Sequence, residues 1–146
     1  MNNIKIAALY IATLKAISLI HQHNHWVTSG NNFYSQHLLF KRLYEQTLEN
    51  LDSAAEKFIG LWGDECLEYQ LQYDLLNRVL ANYKDVSSEP VELSLSIEKD
   101  FLKFSGEFNL MLEKESKLTL GLDDMLSAIA GKSEESVYLL NQLKKG

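Results

Sequence analysis

Imidazoles and carboxylates are side chains that hold iron, zinc and manganese, and this chain has four histidines beside 20 aspartates and glutamates. His25 and His37 flank a Gly30-Asn31-Asn32 turn, while Asp52 and Glu56 follow further along. At about 1.5 Å of rise per residue, His25 lies roughly 7.5 Å before Gly30 and His37 roughly 7.5 Å after Asn32. Two helices folded back antiparallel therefore hold the two imidazoles level. Asp52 and Glu56 stand at i and i+4, so they share a helix face and can chelate together. From His37 to Asp52 the rise is about 22 Å, far beyond metal–ligand bonds of about 2 Å. One chain alone cannot complete the site. A twofold pairing that runs the second helices of two subunits antiparallel brings the histidines of one opposite the carboxylates of the other, twice per dimer. The residues three before His21, His23, His25 and His37 are Ser18, Ile20, Gln22 and Tyr34. The Glu-x-x-His motif of an ordinary di-iron bundle is thus missing.

Helices must position these groups. A single proline, Pro90, and little β-branched alternation predict an all-α chain. Ile6, Leu9, Thr13, Ala16, Ile17 and Ile20 at three-and-four spacing predict a first helix over Asn3 to Ser29, stopped by Gly30-Asn31. Asn32 is expected to cap a second helix that runs to Gly60 or Gly63. Its apolar side holds Phe33, Phe40, Leu43, Tyr44, Leu48, Leu51, Ala55 and Phe58. A third pattern from Asp64 to Tyr83 uses Leu67, Leu71, Leu75, Leu76, Val79 and Leu80, and Lys84 to Pro90 is the one plausible linker. A fourth helix is expected over Val91 to Ser116, and a fifth over Leu122 to Lys144 after a turn near Gly121. Four long amphipathic helices and a shorter one in the middle connection predict a four-helix bundle.

The chain has 146 residues and a formal net charge of -6, which predicts one domain over 1–146 and argues against a surface that grips nucleic acid or anionic membrane. Cys66 is the sole cysteine, so no intrachain disulfide forms and a cytoplasmic setting is expected. It is read as a small buried hydrophobe. Ile6 to Leu14 is apolar enough for a secretory core but lacks a preceding basic run and a cleavage site. Lys15, Ser18 and His21 interrupt it well short of a membrane span. It is read as the first core helix.

His25-Trp26, Gly30, Asn32-Phe33, His37, Asp52 and Ala55-Glu56 stand in one register across residues 25 to 56, and in that register the chain resembles the Dps mini-ferritins. Leu122-Asp123-Asp124-Met125-Leu126 through Gln142 is similar to the family's last helix. The resemblance implies a ferritin-like bundle and hollow dodecamers that oxidise Fe(II), usually with hydrogen peroxide, and store the ferric mineral. It implies a ferroxidase site between two subunits, with His25, His37, Asp52 and Glu56 as ligands. It also sets Trp26 beside the metal, where it can surrender an electron to an oxidant.

Two departures stand out. Four residues after the second histidine, where the family places an acidic ligand, this chain has Lys41. An ammonium group there repels Fe(II), and Glu45, one turn on, has to reach back to replace the missing oxygen. The segment Asp64 to Pro90 is also longer than the family's middle helix. Two alternatives therefore stay open: a cage with an impaired ferroxidase and a structural role, or a module in which the same residues hold zinc or manganese. His21, one turn before His25, is read as a surface residue, and His23 as pointing elsewhere. Glu113, Glu115, Asp123 and Asp124 cluster near the last turn, a possible iron-entry pore in an oligomer. DNA binding needs a cationic tail or patch, and the ends offer only Lys5, Lys144 and Lys145, so little DNA affinity is expected.

Overall fold

The structure, a computed structural model, describes residues 3–145. The described residues form five α-helices: α1 (Asn3–Val27), α2 (Phe33–Trp62), α3 (Tyr69–Ala81), α4 (Pro90–Lys114) and α5 (Leu120–Lys145). No strand occurs among them. Helix α1 packs on α2 and α4, and α5 packs on α4 and α2, which closes a four-helix bundle with α2 and α4 on its diagonal. The chain crosses that diagonal through α3, which lies against α1. The ferritin-like bundle with a short helix in its middle connection is therefore the architecture.

Helix α1 is the one described helix long and apolar enough to cross a membrane, yet Ala7, Ala8, Ile11, Leu14 and Ile17 are all enclosed by the bundle. Such a helix is apolar nearly all round because neighbours cover it on several sides. At its centre Tyr10 meets Phe58, Phe101 and Phe108 with ring centroids 5.3 to 5.7 Å apart. A second, smaller cluster of Phe40, Leu43, Val91, Leu95 and Leu140 fills the end nearer the α1–α2 turn. Between the two clusters the buried residues of α2, α4 and α5 are polar, with Thr47, Glu98, Ser133 and Ser136 enclosed.

The boundaries differ from the sequence pattern where local hydrogen bonding intervenes. The stretch expected as one helix from Asp64 breaks into a single 3-10 turn at Glu65–Leu67 and then α3. Glu68 is the reason, since its carboxylate accepts the Gln70 and Leu71 N–H groups and caps a new helix. Pro90 closes no linker but opens α4, where Glu89 accepts from Val91 and Glu92 and the missing proline N–H costs nothing. The last turn precedes Gly121, which lies inside α5. Asn32 occupies the N-cap of α2 without a side-chain capping bond. Gly30 makes the turn through φ +95 and its carbonyl accepts the Phe33 N–H.

Gln72 fixes α3 to α1. This buried amide donates to the carbonyls of Ala8, at 3.0 Å, and Cys66, at 2.6 Å, and accepts from Lys15 Nζ at 3.1 Å. Burial pushes the Lys15 amine below its ordinary pKa and also raises that of the enclosed Cys66 thiol. Replacing Gln72 with Ala removes three bonds and opens a cavity, for an expected loss of about 2–4 kcal/mol. Gln70→Ala, on the exposed side of α3, is expected to change stability by under about 0.5 kcal/mol. Thermal unfolding of the two variants side by side checks this, and equal midpoints refute the clamp.

Candidate metal site at the first helical hairpin

The α1–α2 hairpin brings His25 and His37 level, as residue counting from the turn requires. Their rings stack with centroids 3.8 Å apart and planes 17° from parallel. The two residues are also interlocked. His25 Nδ1 donates to the His37 carbonyl at 2.7 Å, and His37 Nδ1 donates to the His25 carbonyl at 2.8 Å. A carbonyl oxygen only accepts, so each Nδ1 must carry the proton. Each neutral ring therefore keeps its lone pair on Nε2, the tautomer that binds a metal. The Phe33 ring stacks on the other side of His37, with centroids 4.9 Å apart, and Thr28 donates its hydroxyl to the Gln36 side chain across the turn.

A metal bound to imidazole lies close to the ring plane. Two nearly parallel planes stacked 3.8 Å apart do not meet about 2 Å from both Nε2 atoms. The pair cannot chelate one ion. It presents two neighbouring nitrogen ligands, each suited to a separate metal position.

The structure does not bring the carboxylates to this hairpin. Asp52 and Glu56 lie on the exposed side of the same unbroken α2 that carries His37. Neither has a hydrogen-bond or ion-pair partner among the described residues. No group of three or more His, Cys, Asp or Glu side chains among the described residues is arranged to hold a metal ion. Trp26 follows His25 but turns outward, 66% exposed, and Lys41 is exposed one turn after His37. It borders a shallow groove with Leu38, Arg42, Glu45, Gln46, Glu49 and Lys132, in which Arg42 is paired with Glu135.

His21 is no surface residue. It is 0% exposed, with Nδ1 2.8 Å from Ser94 Oγ and Nε2 3.9 Å from Glu98 Oε1. It faces α4 because position 21 lies about 40° round the helix from position 25, enough to change neighbour. His23 is exposed, away from the hairpin. Of the acidic cluster, Glu113 and Glu115 end α4 and Asp124 is exposed at the start of α5. Asp123 is already engaged by Asn109 at 3.2 Å and Ser127 at 3.4 Å. Sequence reasoning missed Asn24, Thr28 and Gln36. The last two could have been found by their near-symmetry about the turn, whereas Asn24 carries no signal without its partners on α4.

Comparison with known proteins bears on the sequence and the fold. No family model matches the chain. It is 27% identical over 123 residues to a DNA protection during starvation protein from Brevibacillus brevis, covering 81% of this chain and 78% of that one. Its fold superimposes on Dps from Listeria monocytogenes with a TM-score of 0.79 at 16% identity, over 99% of this chain and 94% of the other. Dps from Listeria innocua, in a crystal soaked with cobalt, gives the same TM-score and identity over 99% and 93%. The chain is Dps-like in sequence and in fold. From the stacked geometry alone, His25→Ala and His37→Ala are expected each to weaken a different divalent-metal position and spare the other. Titration followed by metal analysis per chain checks this, and loss of all binding in both variants would show that one ion uses both rings.

Proposed function

We propose that this chain is a Dps-like mini-ferritin subunit that oxidises Fe(II) at a site shared between two subunits and sequesters the ferric product inside a hollow oligomer. The observation that carries the reading is the separation of ligands. Two metal-ready imidazoles sit at the hairpin, and two unpartnered carboxylates sit about 22 Å away along the same helix. Neither half is a site by itself, and antiparallel pairing of two α2 helices joins them. The outward face of α2 supports that pairing, because Leu48 and Ile59, one turn from the carboxylates, and Leu38, beside His37, are each close to half exposed. Such a stripe is costly in water and is relieved by a partner of the same kind.

Fe(II) is the substrate, with hydrogen peroxide or dioxygen as oxidant. His25 and His37 of one chain each hold a separate Fe(II) through Nε2, and Asp52 and Glu56 of the other supply negative charge that favours the oxidised ion. Exposed Trp26, next to His25, donates an electron to stray oxidant. A closed dodecamer of one-domain subunits is the proposed cage, working in the cytoplasm, with no role for membrane and little affinity for DNA.

Lys41 favours a second reading of the same cage, in which iron oxidation is impaired. It belongs to the metal position of His37, one turn away. At about 6 Å, a unit charge opposes a divalent ion by about 1.4 kcal/mol even at the dielectric of water, close to tenfold in occupancy. Lys41→Asp is expected to raise the Fe(II) bound per subunit and to speed oxidation. Unchanged stoichiometry and rate in an anaerobic titration followed by stopped flow would place Lys41 away from the metal.

Mixing separates the shared site from a site within one chain. The variant His25→Ala/His37→Ala and the variant Asp52→Ala/Glu56→Ala are each expected to be inactive. In a mixed dimer one of the two sites collects both sets of intact ligands. Random pairing makes about half the dimers mixed, so co-refolding at equal ratio should restore roughly a quarter of the wild-type rate. Mixed assemblies confirmed by mass spectrometry that show no recovery would refute the shared site.

A further inference from the structure

Resting on that reading of His25 and His37 as metal ligands, we infer that Asn24 is a positioning residue for the site, anchoring it to α4 through Pro90 and Ser94. Asn24 is 1% exposed and Ser94 fully buried. The Asn24 amide donates to the Pro90 carbonyl at 2.9 Å and to Ser94 Oγ at 2.8 Å. Both its hydrogens are used. Ser94 Oγ also meets His21 Nδ1 at 2.8 Å, so one hydroxyl holds two side chains of α1 that lie three residues apart.

The consequence passes to the metal ligands through the backbone. The residue after Asn24 is His25, whose carbonyl receives the His37 Nδ1 proton. The Asn24 carbonyl itself accepts the Thr28 N–H at 3.0 Å and closes the last turn of α1. With its amide fixed by two acceptors on α4, this turn can neither rotate nor slide without breaking a buried bond. A rotation of α1 would carry the His25 carbonyl away from His37, and the His37 ring would lose the contact that fixes its tautomer. A helix that carries none of the proposed ligands thereby sets the aim of both imidazoles.

Isosteric substitutions isolate the hydrogen bonds from the volume. Ser94→Val and Ser94→Thr add the same bulk, and only Thr keeps the hydroxyl. Asn24→Asp keeps the shape and loses both donors. The measurement is Co(II) titration of the assembled protein, read by its visible ligand-field spectrum, with assembly size and circular dichroism recorded for each variant. Ser94→Val and Asn24→Asp are expected to bind Co(II) about tenfold more weakly, as for loss of groups that orient metal ligands, with an altered spectrum. Ser94→Thr is expected to restore both affinity and spectrum. Assembled Ser94→Val and Asn24→Asp with wild-type affinity and spectrum would overturn the inference, even if their melting temperatures fall. Should Asn24→Asp fail to assemble, the Ser94 pair decides alone. Should Ser94→Val also fail, Ser94→Ala takes its place against wild type, with the same expected and opposing results. If wild-type protein binds no Co(II), or His25→Ala binds it equally well, the metal-site reading itself falls, and that result is distinct from failure of the Asn24 variants.

Discussion

Two backbone carbonyls, those of His25 and His37, each accept the other residue's imidazole proton, and the character of the hairpin follows from that exchange. Free imidazole chooses between two tautomers and many orientations. Here the carbonyls remove both freedoms, so folding alone orders the rings. The exchange is possible only if the helices meet with His25 and His37 at one height, which needs a turn of fixed length and the positive φ of Gly30. It also needs the two helices close enough for the rings to stack.

That closeness is maintained by parts of the bundle with no chemistry of their own. Helix α1 is covered by α2, α4 and α3, and small residues such as Ala7, Ala8, Ala12 and Ala16 lie fully buried along it, where they let neighbours approach. The aromatic group around Tyr10 fills the far half of the bundle. Near the hairpin the core is thinner, and polar bonds from Asn24 and His21 to Ser94 do the aligning. A polar contact specifies register more sharply than an apolar one, because a shift of one residue leaves its buried donors unpaired.

Much of this was legible in the sequence because it depends on periodicity and counting. The helices, their order and the level imidazoles need only 3.6 residues per turn, 1.5 Å of rise and a recognisable stop at Gly30. What could not be read depends on which neighbour covers a face. Leu48 continues the apolar stripe of α2 yet is 48% exposed, since the stripe is wider than the surface that α1 and α5 cover. His21 has the composition of a surface residue and is buried because α4 brings Ser94 to it. Glu68 lies inside the apolar pattern from Asp64 to Tyr83, but its reach to two N–H groups breaks that segment in two. In each case the deciding partner lies on another element, or depends on a cap competing with helix continuation.

The exposed carboxylates show the opposite economy to the interlocked rings. Asp52 and Glu56 stand one turn apart with no partner among the described residues, and two like charges at that spacing weaken an isolated helix by a few tenths of a kcal/mol. A sequence selected for stability alone would gain by placing a lysine between them and the solvent. Lys57 follows Glu56 directly but pairs with neither carboxylate, and Lys41 stands three turns before Asp52, beside the imidazole end. On the proposed pairing this arrangement has a physical sense. Antiparallel α2 helices set the negative end of one chain against the imidazole end of the other, so the carboxylates find their positive counterpart across the interface, either in a bound ion or in Lys41 itself. The same ammonium that lowers metal occupancy can thus neutralise the interface when metal is absent, and assembly need not wait for iron.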